Sequence, residues 1–327
     1  MTIRIHLTAD DLAESRFAFS PTWELVMSVY KTLRDPAKHA LHLPWVTETR
    51  RHIADRDLGL FFRLASTEGY VADFLTPPPD TPFPDLDQEL ERVVETPVEQ
   101  VRTEILGMCA TSTKATEPLR ELAEDPASWL PRLGEQMREY WKLAIEPHWP
   151  RIRALLEGDV MYRARQLALG GAELLFADLH PAVSFADGVI AIDKHHEGDV
   201  RPEGQGLLMI PAVFDWPGIA VLFGHAYQPT LSYSPRGIAN LWDPTPARDG
   251  GGAMDELIGG TRAEILRVLE VPMTTSEIAQ RLHLTPAAVS QQLGLLRRAG
   301  VVHATRQGRG VYSTLTVQGR QLLQLLG

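Results

Sequence analysis

The first residues alternate, with Ile3, Ile5 and Leu7 apolar and Thr2, Arg4 and His6 polar, the period of a half-buried β-strand. Helical signals then take over. Ser20 before Pro21 is a cap followed by proline in the first turn, and it predicts a helix to about Arg34. Thr96, Pro97, Val98 and Glu99 read as a capping box with proline at the first helical position. Asp125 and Pro126 open a further helix expected to run through Trp141. The proline-rich stretch from Thr76 to Pro84 predicts an extended loop. Near Ala182 the pattern changes to short β candidates at 183–185, 188–193, 206–210, 219–223 and 230–233, with turns such as Ala186, Asp187 and Gly188 between them.

A stretch of prolines and glycines from Asp243 to Gly252 cannot continue a helix or a central strand, and it predicts a linker. Beyond it helices are expected over 253–258 and 261–270, the second opened by a capping box of Thr261 and Glu264. Thr274 and Glu277 form another box, and Ile278, Ala279 and Leu282 share the buried face of the helix it starts. Thr285 caps the next helix with Pro286 at its first position, where a missing N–H costs nothing. In that helix Val289, Leu293 and Leu296 point inward, leaving Ala287, Ser290, Gln291 and Gly294 on the opposite side. After Gly300, 301–306 and 311–316 alternate like two strands around the tip Gln307, Gly308, Arg309, Gly310. The expected fold class is therefore α+β. A mainly helical N-terminal body (helical to about 181, sheet-rich over 182–242, with a small, largely antiparallel sheet) is followed, after a linker at 243–252, by a C-terminal winged helix-turn-helix over 253–327.

A small, polar helix face can approach base edges in a major groove, where glutamine makes bidentate contacts to adenine and serine donates or accepts. Ser290 and Gln291 are thus candidates to read bases, with Ala287 beside them. Thr285, Arg297 and Arg298 are candidates for the phosphate backbone, and Arg306 and Arg309 for the backbone or minor groove beneath the wing. The run Ala288-Val289-Ser290-Gln291-Gln292-Leu293-Gly294-Leu295-Leu296-Arg297-Arg298-Ala299-Gly300 resembles the recognition helix of the ArsR family of bacterial regulators. That resemblance implies binding of a double-stranded, pseudo-palindromic operator as a homodimer. It does not extend to the metal sites of metal-sensing members. Thr275-Ser276-Glu277-Ile278-Ala279 stands where thiolate ligands would lie, and the closing helix 317–326 has no His, Cys or acid. His148 to Glu157 and Phe176 to His180 resemble the uncharacterised N-terminal domain joined to such winged helices in actinobacteria, a likeness that carries no ligand or activity.

Charge agrees with a DNA-binding end. From Ala253 onward eight arginines face five acids, a net of +3, whereas the whole chain carries −10, which leaves −13 on residues 1–252. No apolar run approaches the length of a membrane span and the N-terminus lacks a leader pattern, so a cytoplasmic protein is expected. Cys109, the single cysteine, reads as a small buried hydrophobe. Asp178, His180, His195, His196 and Glu197 are the body's best candidates for acid–base or metal chemistry, but their spacing suits neither. Residues 194–199 read as a solvated hairpin or loop, and Asp178 with His180 as a helix-end anchor. No catalytic residue, metal site or cofactor is expected. Trp23, Trp45, Trp129, Trp141, Trp149, Trp216 and Trp242 supply core and, in part, ligand surface. The function expected is a homodimeric transcriptional repressor whose body senses a small molecule or partner. Two alternatives stand beside it: an enzyme-like body that uses the winged end for autoregulation, and a constitutive architectural DNA binder.

Overall fold

The computed structural model describes residues 1–327 except 68, 113–115, 195–196, 225–226, 243–257, 270–271, 283, 308–309 and 327. The chain divides into two compact units, 1–242 and 243–327. The linker expected over 243–252 and most of the helix expected over 253–258 lie outside the described residues.

In the first unit, β1 (Thr2–His6), α1 (Ala9–Glu14) and β2 (Arg16–Phe17) precede a long helical region. It begins with α2 (Pro21–Met27), where the Ser20 hydroxyl accepts the Trp23 N–H at 3.1 Å, and continues as a π-helical segment over Ser28–Leu33. There follow α3 (Leu43–Ile53), α4 (Gly59–Ala65), α5 (Leu86–Val94), α6 (Val98–Thr111), α7 (Glu117–Glu124), α8 (Pro126–Ala144) and α9 (Trp149–Phe176). Residues 77–84 contain no helix or strand, as their prolines dictate. The capping box expected at Thr96 and Glu99 does not form. Pro97 itself occupies the cap, so the Thr96 hydroxyl falls outside the turn and donates back to the Arg92 carbonyl at 2.9 Å, while Glu99 pairs with Arg102.

Strands β3 (Val183–Ala186), β4 (Val189–Asp193), β5 (Gly198–Val200), β6 (Leu208–Pro211), β7 (Ile219–Gly224) and β8 (Tyr227–Tyr233) complete the unit. With β1 and β2 they make two four-stranded sheets, ordered β3-β4-β1-β5 and β2-β6-β8-β7. Both are mixed, so the expectation of one largely antiparallel sheet is amended. The hairpins β3-β4 and β7-β8 are antiparallel, as their turns specify. The parallel partners of β1 and of β2 come from the far end of the unit, Ile3 opposite Gly198 and Arg16 opposite Leu208, and no local pattern encodes them. Strand β5 lies partly where a loop was expected.

Helix α9 breaks at Gly170 and Gly171, the latter at φ 67°, and the break is clamped by a buried ionic cluster. Arg163, 1% exposed, lies between Asp159 (3.6 Å) and Asp178 and donates to the Leu175 carbonyl at 3.3 Å. Asp159 also accepts the Tyr233 hydroxyl at 2.8 Å, which ties α9 to β8. Apolar residues divide into one core among the helices, around Phe61, Leu133 and Tyr140, and another around the first sheet, with Ile3, Ile190 and Phe176.

The second unit contains α10 (Gly260–Val268), β9 (Met273–Thr274), α11 (Thr275–Arg281), α12 (Pro286–Arg298), β10 (Val302–Gln307), β11 (Gly310–Leu315) and α13 (Val317–Leu326). Its core is Ile265, Leu266, Ile278, Val289, Leu293 and Leu296. The box expected at Thr261 and Glu264 is replaced by Gly259 at the cap, whose φ of 89° glycine adopts without strain, so Thr261 lies inside the first turn.

Candidate nucleic-acid interface and a cavity in the body

Two caps set the helix-turn-helix. At α11 the Thr274 N–H and hydroxyl donate to Glu277 at 2.7 and 2.9 Å, and the Glu277 N–H donates back to the hydroxyl at 3.3 Å. These bonds hold the Glu277 carboxyl below its ordinary pKa. At α12 the Thr285 hydroxyl accepts the Ala288 N–H at 3.2 Å, with Pro286 in the first turn. Val289, Leu293 and Leu296 are buried, which turns Ala287, Ser290 and Gln291 to solvent with Thr285 at the helix start. Arg298 and Arg306 are exposed as well. Arg297 has a role the sequence did not show: its guanidinium donates to the Ser313 hydroxyl at 2.9 Å, tying the end of α12 to the wing strand β11. Arg309 lies outside the described residues. The wing gains a third strand that periodicity missed, because β9 is two residues long and pairs Thr274 with Tyr312 and Met273 with Ser313. One threonine thus both caps α11 and anchors the wing sheet.

In the first unit Asp178 and His180 serve as structural anchors. Against the upward push of burial, Tyr162, Arg163 and Arg236 hold the Asp178 carboxyl below its ordinary pKa. His180 accepts the Ala182 N–H at 3.0 Å through Nδ1, and its Nε2 lies 3.0 Å from the Pro217 carbonyl. His195 and His196 lie outside the described residues. Among the described residues no group of three His, Cys, Asp or Glu side chains could hold a metal ion, and no helix is long and apolar enough to cross a membrane.

The sequence also gave no sign of a cavity of about 650 Å³, walled by Trp23, Met27, Val71, Val221 and Phe223 with Lys31 and Lys194 among them. Behind it Asp215, fully buried, accepts the Trp23 indole N–H at 3.1 Å, the Ser232 hydroxyl and the Lys31 ammonium. Glu24 accepts the N–H groups of Val213 and Phe214 at 2.7 and 3.1 Å, yet burial pushes its pKa up to about 8. Lys194 donates to the Ile219 carbonyl at 2.7 Å, and burial, then the nearby Lys31 charge, lowers its pKa. Burial raises Asp73, on the cavity wall, to about 7. The only trace of this site in the sequence is a charge placed within apolar runs: Glu24 in α2, and Asp215 between Phe214 and Trp216.

Residues 97–237 match the family of unknown function DUF5937, and residues 258–304 match a helix-turn-helix domain. No curated protein matches the chain. Among solved structures, a cysteine-to-serine mutant of ZitR from Lactococcus lactis is 28% identical over 20% of this chain and 48% of its own, with a TM-score of 0.20. The chain thus spans about half the length of that protein. Reduced HlyU from Vibrio cholerae is 32% identical over 20% of this chain and 72% of its own, with a TM-score of 0.19. The chain thus carries a region matching the DUF5937 family followed by a helix-turn-helix domain, the element with which proteins bind DNA.

Proposed function

We propose that this chain is a cytoplasmic, homodimeric repressor that reads a specific operator with α12 and releases it when a small molecule occupies the body. The observation that carries the DNA reading is the exposed face of α12, where Ala287, Ser290 and Gln291 stand clear of the buried Val289, Leu293 and Leu296. Ser290 and Gln291 read base edges, and Ala287 lets the helix approach closely. Thr285 accepts from the Ala288 N–H and keeps its own proton for a phosphate oxygen. Arg298, Arg306 and Arg309 neutralise phosphates or enter the minor groove, and Arg297 holds the wing in register while reaching toward the backbone.

A single recognition helix covers one major-groove half-site, which favours a two-fold dimer on a palindromic operator. Repression is the direction that needs no further partner, since a bound dimer excludes polymerase by sterics alone. The body reads as a sensor and not as an enzyme because Asp178 and His180 are committed to structural bonds while the cavity has the size of a ligand site.

Fluorescence anisotropy of the full-length protein on genomic duplexes from upstream of its own gene, at two salt concentrations and against a scrambled duplex, tests the reading. A preferred duplex is expected. Gln291→Ala should erase the preference, whereas Arg309→Ala should weaken binding to both duplexes. Equal losses from the two variants on both duplexes would remove the role assignment, and no preference for any genomic duplex would remove sequence-specific binding.

A further inference from the structure

Building on the effector reading above, we propose that the cavity of the first unit binds a planar aryl carboxylate, its ring system against Trp23, Met27, Val221 and Phe223 and its carboxylate on Lys31 and Lys194. At about 650 Å³ the cavity lies in the range of small-molecule sites, roughly 300–1,000 Å³. Its wall is largely apolar, which suits a flat hydrocarbon body.

The charges decide what the polar end of the ligand must be. Lys31 is paired with the buried Asp215. Among the described residues Lys194 has no such acid of its own: its ammonium donates to the neutral Ile219 carbonyl while Lys31 repels it and Asp215, already shared with Lys31, attracts it. The second acid beside Lys31, Glu24, is raised by burial to about 8, which favours its neutral form over the carboxylate. Among the described residues two ammonium groups therefore meet the carboxylate of Asp215 and the weakened acid Asp73, in a half-buried setting where unpaired charge is costly. A ligand carboxylate restores the balance and supplies acceptors for the remaining Lys194 donors. A cationic ligand would add to the repulsion, and an uncharged one would leave the excess in place. Asp73, the acid on the cavity wall, is raised by burial to about 7, so it can donate a hydrogen bond to a polar ring substituent without setting a full second anion against the ligand.

Isothermal titration of the full-length protein with benzoate, 2-naphthoate and 4-biphenylcarboxylate, each beside its uncharged amide, tests the proposal. At least one acid is expected to bind one per chain, about tenfold or more tighter than its amide, the worth of a charge-assisted hydrogen bond. Lys194→Met should bring acid and amide to parity. Val221→Trp, which fills the cavity, should abolish binding of both. Parity in the unmodified protein, no binding by any of the three acids, or undiminished binding in Val221→Trp overturns it. Lys194 is only partly buried, so its variant keeps the test decisive if circular dichroism shows that Val221→Trp has not folded. Anisotropy on the operator in the same samples separates the two readings. Intact DNA binding with no carboxylate binding removes this inference alone, and carboxylate binding without operator preference sustains it while removing the regulator.

Discussion

At the scale of single residues, the body is held by buried charges whose partners are few and specific. Arg163 is the clearest case, because it satisfies Asp178 and lies 3.6 Å from the fully buried Asp159. Among the described residues Arg163→Met leaves Asp159 with the Tyr233 hydroxyl and the Arg236 N–H, so we expect a loss of about 3–5 kcal/mol in urea unfolding, the usual result of stripping one partner from a buried pair. A loss under about 1 kcal/mol would mean the cluster is solvated as an exposed pair is. Titration gives a second handle. Glu24 is raised from 4.5 to about 8 and Glu89 from 4.5 to about 7, both first by burial, so the folded state holds these protons more tightly than the unfolded chain. Their contribution is complete below pH 4.5 and is lost as pH rises toward 7 and 8. His42, lowered from 6.5 to about 3 by burial, acts oppositely, its contribution being lost as pH falls from 6.5 toward 3. The two trends oppose each other between 4.5 and 6.5. Of these three groups only the acids still titrate above 6.5, so their contribution to stability should fall from pH 6.5 to 8, and Glu24→Gln should reduce the slope by up to about 1.4 kcal/mol per pH unit. An unchanged slope in chemical melts at those two pH values would remove Glu24 from the account.

At the scale of elements, the winged unit was far more legible than the body. Thr274 with Glu277, Thr285 with Pro286, and the 289, 293, 296 stripe are local signals, each read within one or two turns, and the structure places them as expected. The body's failures share a physical origin. Thr96 looks like a cap, but Pro97 takes the cap position through backbone geometry that a spacing rule does not weigh, and the winged unit shows the same failure once, where Gly259 displaces Thr261. The parallel pairings of β1 and β2 depend on chain segments far apart in sequence. The cavity was invisible because Lys31, Lys194 and Asp215 come from three separate elements and form no motif. Arg297 shows how an element can be read half correctly: its position on α12 was legible, its bond to Ser313 on β11 was not. That bond yields a test of wing anchoring. Ser313→Ala, at a fully buried position, should weaken operator binding several-fold while leaving the salt slope unchanged, whereas Arg298→Ala should reduce the slope by about 1 as one phosphate contact is lost. A salt slope that falls in Ser313→Ala would mean that this hydroxyl, or the Arg297 it holds, serves the backbone directly.

At the scale of the whole molecule, the proposed function requires coupling between the acidic body and the basic winged end, and any such coupling is reciprocal by thermodynamic necessity. If an aryl carboxylate binds the cavity and weakens operator affinity by some factor, the operator must weaken carboxylate affinity by the same factor. A ligand with equal affinity for both conformations of the body would shift nothing, however tightly it bound. We expect a factor of roughly 5–150, the range of ordinary allosteric couplings. It is measured twice, as operator affinity with and without saturating 2-naphthoate and as 2-naphthoate affinity with and without saturating operator. Lys194→Met should shrink the factor along with the affinity, because the carboxylate would then no longer distinguish the two conformations through that ammonium. Carboxylate binding with a factor of one in both directions would leave a ligand site in a constitutive DNA binder. Unequal factors would mean that the two measurements do not report on one equilibrium.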